Sequence, residues 1–262
     1  MSLRSCDGGE DHCGITSFGG GGAGRGVRRS GRPVGVGGGV LVIPLLGIVY
    51  GVHQQMAQGT ALVMVVPNVL FAFWRYRQQF GVDLRMAITI AGAALVTTYP
   101  TARLATGLDP DRLRLAFAAF LVGLAAVLAY RTWRGAVQMA ARPPLAWGWT
   151  AAVGLVGGVV SGFFGVGGAF IAPPLLTAFF GVRQVEAQGL ALALVSPSTV
   201  VALFTYAAAG QVEWFVGIPL ALGGTTAIFA GVAFAHRLPE RRLRLGFCGL
   251  LLITAMLLAA RG

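Results

Sequence analysis

Lysine is absent from this chain, and all 20 of its basic residues are arginine, set against 9 acidic residues and 3 histidines. Charged side chains make up 11% of the 262 residues, where soluble domains carry roughly a quarter. Too little charge is present for an ordinary water-facing surface. Cysteine is scarce as well: Cys248 lies in an apolar run, and Cys6 and Cys13 lie in a Gly/Arg-rich leader at a spacing that matches no zinc pattern. That argues against a disulfide framework or a zinc site. No cluster of His, Cys and carboxylate recurs at helical spacing, so hydrolytic or redox catalysis lacks its parts, and neither a cofactor nor a metal is called for. The apolar runs hold almost no ionisable side chain away from their ends, which removes the usual markers of a proton relay or an ion site.

Apolar residues, by contrast, reach 56%, and the mean hydropathy is +0.74. The chain reads as an all-α integral membrane protein whose main partner is the lipid bilayer. A net charge of +11 would suggest nucleic acid in a soluble protein. Here the arginines sit between apolar segments, where they orient a protein in the bilayer, so no nucleic-acid partner is expected. Apolar runs fall near residues 35–51, 56–74, 84–102 and 113–130, then 147–164, 166–181, 186–206, 214–235 and 243–260. Each is close to the ~20 residues that cross the hydrocarbon as helix. Continuous apolar runs without alternation do not fit barrel strands.

The sequence repeats itself at an offset of 130 residues. Gly51, Val52 and Gln54 match Gly181, Val182 and Gln184; Ala57-Gln58-Gly59 matches Ala187-Gln188-Gly189; Pro67 matches Pro197 and Tyr76 matches Tyr206. Leu113-Arg114-Leu115 matches Leu243-Arg244-Leu245. We read a leader over 1–34, disordered or wrongly translated, a first transmembrane repeat over 35–130, a connecting loop over 131–146 and a second repeat over 147–262. The second copy's glycine motif follows an apolar segment, 147–164, whereas Arg25, Arg28, Arg29 and Arg32 stand at the equivalent place before Gly35. The favoured expectation is a wrong start or reading frame upstream of Gly35, ahead of the loss of a first helix.

Five crossings per repeat would put equivalent loops on opposite faces. One face then carries Arg75, Arg77, Arg85, Arg131, Arg134, Arg142, Arg183, Arg237, Arg241, Arg242 and Arg244, and the other only Arg103, Arg112, Arg114 and Arg261. The positive-inside rule makes loops 75–85, 131–142 and 236–244 cytoplasmic and the repeats inverted.

Both copies open on glycine, Gly35 to Gly39 and Gly165 to Gly168, and lead into a short segment interrupted by Pro44 or by Pro173-Pro174. Paired short, Gly/Pro-interrupted spans point to a transporter site near the midplane. Glycine lets backbone N–H groups turn toward a ligand, and a helix N-terminus attracts an anion. The candidate substrate-binding positions are therefore Gly37, Gly38, Gly39, Gly167, Gly168 and Ala169, joined by the polar Gln58, Gln188, Asn68, Ser196 and Ser198. Pro44, Pro67, Pro173, Pro174 and Pro197 are expected to break their helices. Gly154, Gly158 and Gly162 recur every fourth residue and read as a helix-packing stripe. His53, Arg183 and Glu186 read as solvated turn residues.

The G-V-G-G-x-hydrophobic-x-x-P-x-L pattern at 35–45 and 165–175, each copy followed by Ala-Gln-Gly and a proline in the next helix, resembles the sulfite exporter TauE/SafE family of bacterial transporters. The resemblance covers Gly35 to the C-terminus. It implies a multi-pass inner-membrane protein of two homologous halves that moves a small anion, sulfite, a sulfonate or a related organosulfur compound, commonly outward. Its glycine motif carries over onto Gly35, Gly37, Gly38 and Gly39 and onto Gly165, Gly167 and Gly168, with Ala169 replacing the third glycine of the second copy. The rival reading is a membrane-embedded scaffold subunit with no transport of its own, and the chain is not expected to be an enzyme.

Overall fold

The computed structural model describes residues 38–80, 83–133, 149–166, 172–180, 184–235 and 240–260. The leader, most of the connecting loop and the glycine-motif positions 35–37 and 167–169 lie outside the described residues. Every regular element among the described residues is a helix: α1 (Gly38–Tyr50), α2 (Gln54–Phe80), α3 (Leu84–Gly107), α4 (Pro110–Trp133), α5 (Thr150–Phe164), α6 (Ala172–Phe180), α7 (Gln184–Ala208), α8 (Trp214–Ala235) and α9 (Glu240–Ala260). Helix is the form in which an apolar segment satisfies its own backbone without water. Three of these, over Gln54–Gln78, Pro110–Tyr130 and Val185–Ala208, are long and apolar enough to cross a membrane. Phe204, Phe215, Leu222 and Met256 are exposed, as lipid-facing side chains are.

Three of the prolines do not break their helices. Pro44, Pro67 and Pro197 lie inside α1, α2 and α7, each of which continues past them. Pro173 and Pro174 fall in the first turn of α6. A first-turn proline sacrifices no intrahelical bond. An interior one loses a single bond, a loss that membrane helices tolerate. Around Pro197, Ser196, Ser198 and Thr199 donate to the carbonyls of Leu192, Leu194 and Val195 at 2.7, 2.7 and 2.9 Å.

The glycine stripe of α5 does what its spacing predicts. A Cβ on Gly154 would lie 2.5 Å from the Ile90 carbonyl oxygen, one on Gly158 2.8 Å from Ala94 Cα, and one on Gly162 3.1 Å from the Ala102 nitrogen. α5 therefore lies backbone to backbone on α3 and parallel to it, since its successive glycines meet successive turns of α3. Thr98 Oγ1 bridges the pair, donating to Ala94 O at 2.7 Å and reaching Gly158 O at 3.3 Å.

Contacts also fix the direction of the central helices. Tyr206, near the end of α7, bonds to Gln58, near the start of α2, and Tyr76, near the end of α2, donates to the Val185 carbonyl at the start of α7. α2 and α7 are antiparallel. Pro67 lies nine residues after Gln58 and Pro197 nine before Tyr206, so the two prolines come level along the pair. α5 runs parallel to α7, because Gly157 meets Leu194 while Gly162 and Phe163 face Tyr206. The chain between Gly165 and Gln184, with the nine-residue α6 inside it, must therefore return across the bundle.

Candidate functional site

Gln58 stands one turn into α2 and is fully buried. Its Oε1 accepts from the Tyr206 hydroxyl at 2.8 Å. Its Nε2 has no hydrogen-bond partner among the described residues. The same holds for the hydroxyl oxygen of Ser161, also fully buried, one turn before the end of α5. Gly165 caps α5 at φ 66°, its N–H bonding to Ser161 O at 3.0 Å. A Cβ there would rest 3.5 Å from Gln58 Cβ, so the end of α5 abuts the glutamine. Left-handed backbone is open to glycine and costs other residues roughly 1–2 kcal/mol.

Two buried donors without acceptors cost about 1–3 kcal/mol each, and native interiors rarely leave such groups idle. The C-terminal carbonyls of α5, Gly162 O and Phe163 O, lie 3.5 and 3.3 Å from the Tyr206 oxygen, so its hydroxyl sits against their negative end. Gln58 Nε2 and Ser161 are left able to donate to an electron-rich guest. Burial strengthens such bonds, since water does not compete.

The turns at this end close over α2. Gln55 Nε2 donates to Leu108 O at 2.7 Å, and Glu213 N–H donates to Thr60 Oγ1 at 3.0 Å. A Cβ on Gly59 would clash with the Gln211 carbonyl. The second copy's glutamine is in a different setting: Gln188, likewise one turn into α7, is half-buried.

The remaining positions singled out from the sequence are dispersed. Gly38 and Gly39 form the first turn of α1, and Gly37, Gly167, Gly168 and Ala169 lie outside the described residues. Asn68 is half-buried and accepts from Thr225 of α8 at 2.9 Å. Ser196 and Ser198 are buried and spend their protons on their own helix. Asn68 and Ser198 stand ten and eight residues from Gln58 and Tyr206, about 15 and 12 Å along the helices. Tyr206 and Ser161 escaped the sequence reading. Tyr206 carried a signal, its match with Tyr76, whereas Ser161 sits in a helix with no recognisable counterpart before Gly35.

An all-helical bundle with exposed apolar faces and a buried polar node defines a multi-pass membrane protein, and its relatives place it among membrane transporters. A family model described as "Sulfite exporter TauE/SafE" matches residues 30–258; the chain belongs to that family. It is 28% identical over 78% of its length to a "Probable membrane transporter protein" of Xylella fastidiosa, covering 79% of that relative. It is 22% identical to "Probable membrane transporter protein YdhB" of Bacillus subtilis, over 79% of this chain and 85% of the other. For "Probable membrane transporter protein MJ0441" of Methanocaldococcus jannaschii the identity is 26%, over 72% and 73%. No solved structure matches the chain.

Proposed function

We propose that this transporter moves a small anion, a sulfur oxyanion or sulfonate, outward across the bacterial inner membrane by rocking two inverted repeats about a site at their interface. The observation that carries the reading is the pair of fully buried donors, Gln58 Nε2 and the Ser161 hydroxyl, unmatched among the described residues beside Gly165. Neutral donors bind an anion without the heavy desolvation that a buried arginine would bring. In this reading Gly37, Gly38 and Gly39, together with Gly167, Gly168 and Ala169, contribute backbone N–H groups to the anion. Gln188, Asn68 and the Ser196-to-Ser198 turn lie further along the path. The chain needs no cofactor and does no chemistry on its substrate.

Inversion is supported by the antiparallel packing of α2 on α7, which the 130-residue offset pairs with each other. Helices that pack also come in matched sets: α1 on α2 and α6 on α7; α3 on α7 and α8 on α2; α4 on α9. A two-fold axis in the membrane plane produces this pattern. The two ends differ, with Gln58 sealed by Tyr206 at one and Gln188 half-buried at the other, as expected of one state of an alternating cycle. The arginine-rich loops 75–85, 131–142 and 236–244 would then be cytoplasmic, with Gln58 toward the opposite face. Counterflow in proteoliposomes with sulfite, an alkyl sulfonate, sulfate and chloride tests the assignment. Exchange of sulfite or the sulfonate is expected; no exchange of any of the four would leave the scaffold reading in its place.

A further inference from the structure

A cavity of about 360 Å³ opens where α2 and α4 begin, and its walls include Pro44, His53, Gln54, Pro110, Asp111 and Arg114. Gln54 and Pro110 are the first residues of their helices, so two positive helix ends face one space. The Gln55 bond to Leu108 O, 2.7 Å, ties the two starts together. Gln54 is 7% exposed, and its Nε2 has no partner among the described residues. Arg114 brings a full charge and is paired at 3.1 Å with Asp111, whose side chain is 75% exposed. Arg114 itself is 28% exposed; with its partner so open to solvent the pair contributes little, and an incoming anion can displace Asp111. Gln54 lies four residues before Gln58, on the same face of α2 and about 6 Å away along the axis.

We propose that this cavity is a second oxyanion site, held by Arg114, the Gln54 amide and N–H groups of the first turns of α2 and α4, and that it serves as the vestibule from which Gln58 is reached. Its placement as a vestibule rests on the transport reading above; its binding does not. A lipid phosphate headgroup offers the same chemistry as a free oxyanion, so the test carries an arm for each.

The background is Gln58→Leu in phosphatidylcholine nanodiscs, which isolates the cavity from the deeper node, titrated with sodium sulfite by calorimetry. Adding Arg114→Gln is expected to weaken sulfite about tenfold, the loss of one charge-assisted bond. Adding Asp111→Asn frees Arg114 and is expected to tighten it severalfold. Unchanged affinity in both variants overturns the site. Should phosphatidylglycerol in the disc, and not sulfite, respond to Arg114→Gln, the cavity is a headgroup site and the vestibule is overturned. Sulfite binding that follows Arg114 while proteoliposomes carry no flux upholds the site and refutes the transport reading instead.

Discussion

Replacing Gly158 by alanine tests whether α5 and α3 meet backbone to backbone. The new Cβ would lie 2.8 Å from Ala94 Cα and closer still to the Ala94 carbonyl oxygen and Thr97 Oγ1. Backbone cannot swing aside as a side chain can, so relief requires the helices to separate. Separation stretches the Thr97 Oγ1 bond to Leu155 O, 3.0 Å, and the weaker Thr98 contact with Gly158 O, each worth about 0.6 kcal/mol within a membrane. Overpacking adds about 1–3 kcal/mol, and alanine's better helix propensity returns up to ~1. The net expectation is a loss of about 1–3 kcal/mol. The control is Gly92→Ala on α3, where a Cβ meets nothing within 4 Å; it should be neutral or stabilising by up to ~1 kcal/mol. Heating each variant in detergent and measuring the folded fraction by size-exclusion chromatography reads the difference. Equal midpoints for Gly158→Ala and Gly92→Ala would refute the close approach of α3 and α5.

Gly165→Ala has room for its methyl but not the backbone conformation, at φ 66°. It should lower stability by about 1–2 kcal/mol, with Gly165→Asn recovering part of that by the same thermal assay. Thr225→Val removes the bond to Asn68 Oδ1 and should cost about 1 kcal/mol without abolishing flux; abolished flux in a folded variant would move Asn68 to the centre of the site. For the inverted arrangement, single cysteines at Asp83 and Gln211 in a background without Cys6, Cys13 and Cys248 should react with an impermeant maleimide from opposite faces of sealed vesicles. Labelling from one face would reject inversion.

The sequence made the helical architecture legible because each segment is a continuous apolar run, and the expected span at 214–235 coincides with α8. Boundaries moved where polar residues extend a helix beyond the hydrocarbon, as α2 runs through Arg75 and Arg77 to Phe80. Gln58 was legible through duplication, which marked it twice. Its partner was harder to foresee: Tyr206 is 148 residues away, and local pattern does not register so distant a contact. Pro44, Pro67 and Pro197 misled because a missing N–H is visible in a sequence, while the packing that holds a helix on its course past it is a tertiary fact. Ser161 had no duplicate to mark it.

Anion efflux from proteoliposomes loaded with sulfite, compared between the parent and Gln58→Leu at matched folded content, bears on the buried donor itself. Leucine keeps the bulk of Gln58 and removes its amide, so efflux should fall by about tenfold or more, in line with losing a hydrogen bond to a charged guest, while the thermal midpoint changes little, the lost Tyr206 bond offsetting the removal of the unpartnered Nε2. Efflux equal to the parent's would contradict the assignment of Gln58 to the anion path.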